Sequence, residues 1–66
     1  LNHLFVLEPS RARVLLYRKD PKNGGAQYQT QYVFKGTGTL RDVAVTDNRL
    51  YVMDEKRVYY VDLSGL

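Results

Sequence analysis

The hydrophobic positions of this chain fall into short runs separated by polar breaks. The runs 50–53 and 58–61 consist of Leu, Tyr, Val and Met, and they flank the polar break 54–57. Tyr and Val favour strands, and runs this short between turn-like boundaries are more typical of strands than of helices. The pattern therefore predicts a β-hairpin across these two runs.

The same hairpin pattern occurs near the start of the chain. Residues 2–8 match residues 48–54 in chemical type at an offset of 46, except at the polar pair His3 and Arg49. Residues 13–17 match residues 57–61 at an offset of 44, so the first turn is two residues longer. A strand repeat of roughly 45 residues has the length of a β-propeller blade.

The full pattern predicts an all-β chain with antiparallel strands. The predicted strands cover residues 4–7, 13–18, 27–34, 40–46, 49–54 and 57–63. Asp47 and Asn48 both tolerate positive φ, so they are predicted to form a two-residue hairpin turn. Residues 19–26 and 35–39 contain the paired or closely spaced glycines and are predicted loops.

Strand 27–34 alternates, whereas the other long runs do not. Alternation predicts an edge or outer strand with one buried face. The two predicted faces are Tyr28, Thr30, Tyr32 and Phe34 on one side, and Gln27, Gln29, Gln31 and Val33 on the other. The aromatic face could line a ligand groove, but packing on a neighbouring sheet is the simpler interpretation.

The runs 4–7, 14–17, 50–53 and 58–61 are apolar at every position. Antiparallel strands of this kind need cover on both faces, which a radial stack of sheets supplies. A single chain of 66 residues covers one face of each sheet. The pattern therefore predicts further protein around this chain, either more of a longer parent or other copies.

Composition excludes several classes of site. The chain has no Cys and one His, so disulfides and Cys/His metal clusters are excluded. The net charge of +3 comes from interleaved basic and acidic residues; it permits an anionic partner and is equally typical of a soluble surface. No apolar run approaches the roughly 20 residues of a membrane span.

Residues 40–45, 48–54 and 57–62 resemble a blade of the NHL and related six-bladed β-propellers. Such blades combine a "D-[VI]-A-V" strand, "[LI]-Y-V-x-D" and "[NR]-R-V"; residues 4–8 and 11–14 resemble the last two parts, with Glu8 in place of Asp. The resemblance implies that 1–34 are strands two to four of one blade and 40–66 strands one to three of the next, joined by 35–39. The piece would then be cut inside a blade at both ends. The alternative fold is a small six-stranded barrel.

Glu8 and Asp54 occupy equivalent turn positions. As an acid–base pair they would need to converge on one pocket. The favoured interpretation is that they cap their turns or pair with Arg13 and Arg57. No catalytic, cofactor-binding or metal-ligating residues are predicted.

A basic and aromatic group is the candidate binding patch. Basic groups supply affinity for phosphate and aromatic rings supply stacking, although loops are often charged without binding anything. The predicted patch consists of Arg11, Arg13, Arg18, Lys19, Lys22, Tyr17 and Tyr28. The NHL resemblance implies RNA or protein as a partner, and protein is favoured over nucleic acid.

The predicted function is a non-catalytic propeller fragment that acts as a scaffold or protein-interaction module through its loops. Its partners would include further blades of a parent chain or other copies of itself. The first alternative is part of a propeller enzyme whose active residues lie outside this chain. The second is a small β-barrel that binds nucleic acid through the basic patch.

Overall fold

The computed structural model of the chain describes residues 2–64 and residue 66. Over these residues the chain forms six strands, and one 3₁₀ turn spans Pro9–Arg11. The strands are β1 (His3–Glu8), β2 (Arg13–Asp20), β3 (Gly25–Val33), β4 (Asp42–Thr46), β5 (Arg49–Met53) and β6 (Val58–Asp62). Each predicted strand is present, with its bounds shifted by at most two residues. The prediction of an all-β antiparallel chain is confirmed.

The strands form two antiparallel three-stranded sheets. The N-terminal sheet has the order β1-β2-β3 and the C-terminal sheet has the order β4-β5-β6. Over the described residues no strand of one sheet is paired with a strand of the other. The alternative of a closed six-stranded barrel is therefore wrong, because the two sheets stack on each other instead of continuing into one another.

The hairpin between β4 and β5 turns where the sequence predicts. Asp47 and Asn48 have φ of 52° and 60°, the left-handed values that a two-residue turn with matching twist requires. The turn between β1 and β2 is built differently. Ala12 has a φ of 50° and its amide donates to the carbonyl of Pro9 at 3.1 Å, which closes the 3₁₀ turn.

The core lies between the two sheets. Val14 of β2 and Leu50 of β5 are both fully buried, and they belong to one continuous cluster. The other buried members of the cluster are Leu40, Val52 and Leu63. The side chains packed around them are Phe5, Leu7, Ala12, Tyr32, Phe34, Val43, Tyr59 and Val61. Alternate residues of each sheet thus pack against the other sheet in a two-layer core.

A β-bulge divides strand β3. Leu16 is opposite Thr30 and Tyr17 is opposite Tyr28, which leaves Gln29 as the extra residue. Tyr28 consequently shares the outward face with Tyr17, whereas Thr30 lies on the core side with Leu16. The prediction that Tyr28 shares a face with Thr30 and its aromatic neighbours is wrong, because the bulge reverses the alternation at that point. The four side chains do not line one groove.

The outward faces of both sheets are apolar. On the N-terminal sheet, Leu4 and Tyr28 are 44% and 54% exposed; on the C-terminal sheet, Val58 and Tyr60 are 62% and 57% exposed. Cross-strand pairing places further apolar side chains beside them, namely Val6, Leu15, Tyr17 and Val33 on the first sheet and Ala44, Tyr51 and Met53 on the second. A single chain thus covers one face of each sheet and exposes the other.

The stacking of the two sheets can be tested with one pair of Val→Ala substitutions. Val52 is 1% exposed and lies in the core, whereas Val45 is 44% exposed at the edge of the same sheet. We expect Val52→Ala to lower the free energy of unfolding by about 2 kcal/mol, from lost burial and a residual cavity. Val45→Ala should lower it by less than about 1 kcal/mol. Urea unfolding followed by circular dichroism measures both, and equal losses would contradict the two-layer core.

Candidate functional site

The residues of the predicted basic patch are divided between two regions of the N-terminal sheet. Arg11 lies in the 3₁₀ turn and Arg13 begins β2, whereas Lys19 lies near the other end of β2 and Lys22 in the turn that follows. Arg13 and Lys19 are six residues apart on one strand, which corresponds to roughly 20 Å. That separation is about two Debye lengths at physiological salt, so the two ends act as separate charges.

The charge of Arg13 is already engaged. Its guanidinium forms an ion pair with Glu8 and donates a hydrogen bond to Oε1 of Gln31 at 2.7 Å. The hydrogen bond from Arg13 holds the pKa of Glu8 below its ordinary value. The predicted pairing of Glu8 with Arg13 is confirmed, and this pair adds no net charge to the region.

The two tyrosines of the predicted patch are in contact. Tyr17 and Tyr28 lie opposite each other in adjacent strands with ring centroids 6.0 Å apart, in an edge-to-face arrangement. Strand alternation places Lys19 on their face of the sheet and Arg18 on the other. The structure therefore brings together Tyr17, Tyr28 and Lys19, and separates them from Arg18 and from the Arg11 end. A role for any of them in binding stays a prediction.

The best defined polar group is the carboxylate of Asp54, at the turn between β5 and β6. Asp54 is 7% exposed, and each of its oxygens accepts two hydrogen bonds. Oδ1 accepts from the backbone amides of Lys56 (2.8 Å) and Arg57 (2.7 Å). Oδ2 accepts from the amide of Gly38 (2.9 Å) and the hydroxyl of Tyr59 (2.8 Å). The prediction that Asp54 caps its turn is confirmed, and Arg57 contributes its amide rather than its guanidinium.

These donors stabilise the ionised carboxylate. The amide of Lys56, followed by the amide of Gly38 and the hydroxyl of Tyr59, holds the pKa of Asp54 well below 3.8. The hydrogen bond that the Tyr59 hydroxyl donates to Asp54 raises the pKa of Tyr59, because it stabilises the protonated phenol beside an ionised carboxylate. A carboxylate with four donors has little capacity left for proton transfer. Glu8 pairs with Arg13 and does not line the cleft beside Asp54, so the two carboxylates do not converge on one pocket in the described residues.

A cleft of about 580 Å³ lies beside this carboxylate. Gly38 borders it, and a Cβ at that position would lie in ordinary van der Waals contact with Oδ2 of Asp54, at 3.4 Å. Arg41 and Glu55 form an ion pair at the same cleft. The remaining lining residues are Gly36, Thr39, Lys56, Arg57 and Tyr59. The closely spaced glycines indicated a turn here, but the pattern carried no signal for the cleft.

The part of the chain that the structure describes contains neither a group of metal-binding side chains nor a membrane-spanning helix. No three His, Asp or Glu side chains within residues 2–64 and 66 are grouped so that they could hold a metal ion. Over the same residues, no helix has the length and apolar character needed to cross a bilayer.

Comparison with protein-family models, curated proteins and solved structures finds no match for this chain. The resemblance to NHL-type blades thus stays a prediction, based on residues 40–62 and their counterparts near the start of the chain.

The role of Asp54 can be tested through the pH dependence of folding. Its pKa is lower in the folded chain than in the unfolded chain, so its stabilisation is complete above the unfolded value and is lost as the pH falls toward the folded one. We expect wild-type stability to decrease from about pH 5 downward. Asp54→Asn should be less stable than the wild type at pH 7, and the difference should shrink as the pH is lowered from 5 toward 2.

The matched control is Asp47→Asn, which removes a carboxylate from an exposed turn position where Asn also tolerates positive φ. It should change stability at pH 7 less than Asp54→Asn does. Urea midpoints at several pH values measure both variants. A constant difference between the wild type and Asp54→Asn across that range would show that the ionised carboxylate is not the anchor of this turn.

Proposed function

We propose that this chain is a non-catalytic protein-interaction module, built as about one and a half blades of a propeller-like stack of sheets. The observation that carries the proposal is the pair of outward apolar faces. On the first face Tyr28 lies opposite Tyr17, and on the second Val58 and Tyr60 are alternate residues of one strand, so the exposed apolar side chains are not scattered singly over the surface. Contiguous apolar surface of this kind is typical of interaction sites.

The order of the strands supports the propeller-like arrangement. Within each sheet the chain runs as a meander of antiparallel neighbours, which is the connectivity of a blade. The repeated hairpins are β1-β2 and β5-β6. In the first sheet the third strand, β3, follows the hairpin in sequence, whereas in the second sheet the third strand, β4, precedes it. This is the strand phase expected when the end of one blade is followed by the start of the next.

Such a module would bind its partner through surfaces that the two sheets hold in a fixed geometry. The sheets hold their outward faces and the loops at the strand ends in fixed positions, so that little ordering entropy is lost when a protein binds. Aromatic side chains are enriched in protein interfaces, and Tyr28, Tyr51 and Tyr60 lie on these faces. The acidic and basic residues around the faces would form the polar rim.

The proposal can be tested with two face variants and a control. Val58→Asp alters the outward face of the C-terminal sheet and Val6→Asp that of the N-terminal sheet; Ser10→Asp places the same charge in the exposed 3₁₀ turn. The immobilised wild-type chain is used to capture proteins from its source cells. Each captured protein is identified, purified and titrated against the wild type and the three variants. We expect at least one face variant to weaken binding about tenfold or more, which is roughly 1.4 kcal/mol, and Ser10→Asp to leave it unchanged.

Circular dichroism of each variant establishes that the sheets are intact before binding is compared. If folded Val58→Asp and Val6→Asp both bind every purified partner as tightly as the wild type, the outward faces are not interaction surfaces and the proposal is wrong.

A further inference from the structure

Corresponding residues of the two repeated hairpins differ in whether they face the core or the outside of the chain. Leu7 of β1 faces the core, whereas its counterpart Met53 of β5 faces outward; Val6 faces outward, whereas its counterpart Val52 is buried. The repeat unit therefore has two distinct faces. We name the front face the set Phe5, Leu7, Val14 and Leu16 with its counterparts Tyr51, Met53, Val58 and Tyr60. We name the back face the set Leu4, Val6, Leu15 and Tyr17 with its counterparts Leu50, Val52, Tyr59 and Val61.

The interface inside the chain joins a front face to a back face. Phe5, Leu7 and Val14 of the first unit belong to the same core cluster as the back face of the second unit. The faces left open are the back face of the first unit and the front face of the second. One open face is thus a front face and the other a back face, and a front face and a back face already pack on each other within one chain.

We infer that a second copy of this chain stacks head to tail on the first, with the front face of one copy's C-terminal sheet against the back face of the other copy's N-terminal sheet. This interface repeats the contact between the two sheets of a single chain. It brings Val58 and Tyr60 of one copy against the surface around Leu4 and Val6 of the other, and covers side chains that are each more than a third exposed in the single chain.

The charges around the open faces favour this arrangement over contact between like faces. The open front face carries Asp42 and Asp62 with one arginine, Arg49, whose guanidinium lies 4.5 Å from the centre of the Tyr60 ring. The open back face carries the Glu8–Arg13 ion pair, which is neutral, and Lys19, which supplies its excess charge. One face has an excess negative charge and the other an excess positive charge. A front-to-front contact would place aspartates near aspartates, which disfavours a symmetric dimer.

A head-to-tail contact leaves one open face at each end of the assembly. Addition of further copies therefore continues until the rotation between copies closes a ring, or forms an open chain if it does not. The inference rests on the proposed function as a protein-interaction module and identifies the partner as another copy of the same chain.

The test uses one variant for each face and then mixes them. Wild type, Val58→Asp (front face) and Val6→Asp (back face) are examined by sedimentation equilibrium over a wide range of concentrations. We expect the wild type to associate beyond a dimer and each variant alone to have the mass of one chain. Mixed in equal amounts, the variants should form a one-to-one dimer and nothing larger, because the mixture contains one intact front face and one intact back face. Ser10→Asp should behave as the wild type.

Every other outcome overturns the inference. A monomeric wild type at all concentrations shows that copies do not stack. Loss of association in only one of the two variants indicates contact between like faces. Loss in both without recovery on mixing, or loss in neither, shows that the two open faces do not bind each other.

A second pair of variants, Tyr60→Lys and Leu4→Lys, repeats the experiment with the opposite charge if either aspartate variant loses its circular dichroism signal. The result is also separable from the proposed function. A chain that stays monomeric but binds another purified protein through the same faces would overturn the stacking of copies and leave the interaction module in place.

Discussion

The packing of one three-stranded sheet on the other is the interaction on which the rest of the structure depends. Three strands are near the lower limit of a stable sheet, and they require an apolar face with something packed against it. The chain has no Cys, so no disulfide supplements this burial. Val14 of one sheet and Leu50 and Val52 of the other are members of one cluster. Because the cluster is shared, the order of each sheet depends on the presence of its neighbour.

The carboxylate of Asp54 is one of the groups that hold the connection between the sheets in place. Asp54 binds the amide of Gly38, so that the segment leading into β4 is attached to the turn between β5 and β6. Leu40, in the same segment, is 1% exposed in the core, and the amide of Arg41 donates to the carbonyl of Met53. The polar and apolar contacts of this segment therefore act together, and both fix where β4 begins beside β5.

Equivalent positions of the two hairpins have acquired different roles. Glu8 matches Asp54 in the repeat, but it pairs with the side chain of Arg13 instead of capping its turn. The physical reason lies in the longer first turn. Residues Pro9–Arg11 form a 3₁₀ turn, which is closed by the amide of Ala12 on the carbonyl of Pro9, and the side chain of Glu8 makes no capping hydrogen bond there. A repeat in sequence thus preserves the strands more faithfully than the chemistry of the turns.

Local features of the fold could be predicted from the sequence, and features of the candidate site mostly could not. Asp47 and Asn48 were identifiable as a turn because both residue types tolerate positive φ without help from the rest of the chain. Asp54 was identifiable as a turn cap, but its bond to Gly38 joins positions 16 residues apart. The basic residues are dispersed because of strand geometry. Successive side chains of a strand point to opposite faces of the sheet, and residues at the two ends of β2 are far apart. The side of the sheet on which Tyr28 lies depends on a β-bulge, and the regular alternation of residues 27–34 gave no indication of that bulge.

The amino-acid pattern alone is enough to derive the number of strands, their order along the chain, the position of the tight turn and the presence of a repeated hairpin. Each of these depends on composition and spacing within a few residues. Which face of each strand is covered and which is open depends on the packing of the two sheets. The runs of β1, β2, β5 and β6 are apolar at every position, so their pattern has no period that distinguishes one face from the other. The covered face is set by the cross-strand register and by the contact between two sheets that are distant in sequence. As a result, the first repeated hairpin turns its front face to the core and the second turns its back face to it.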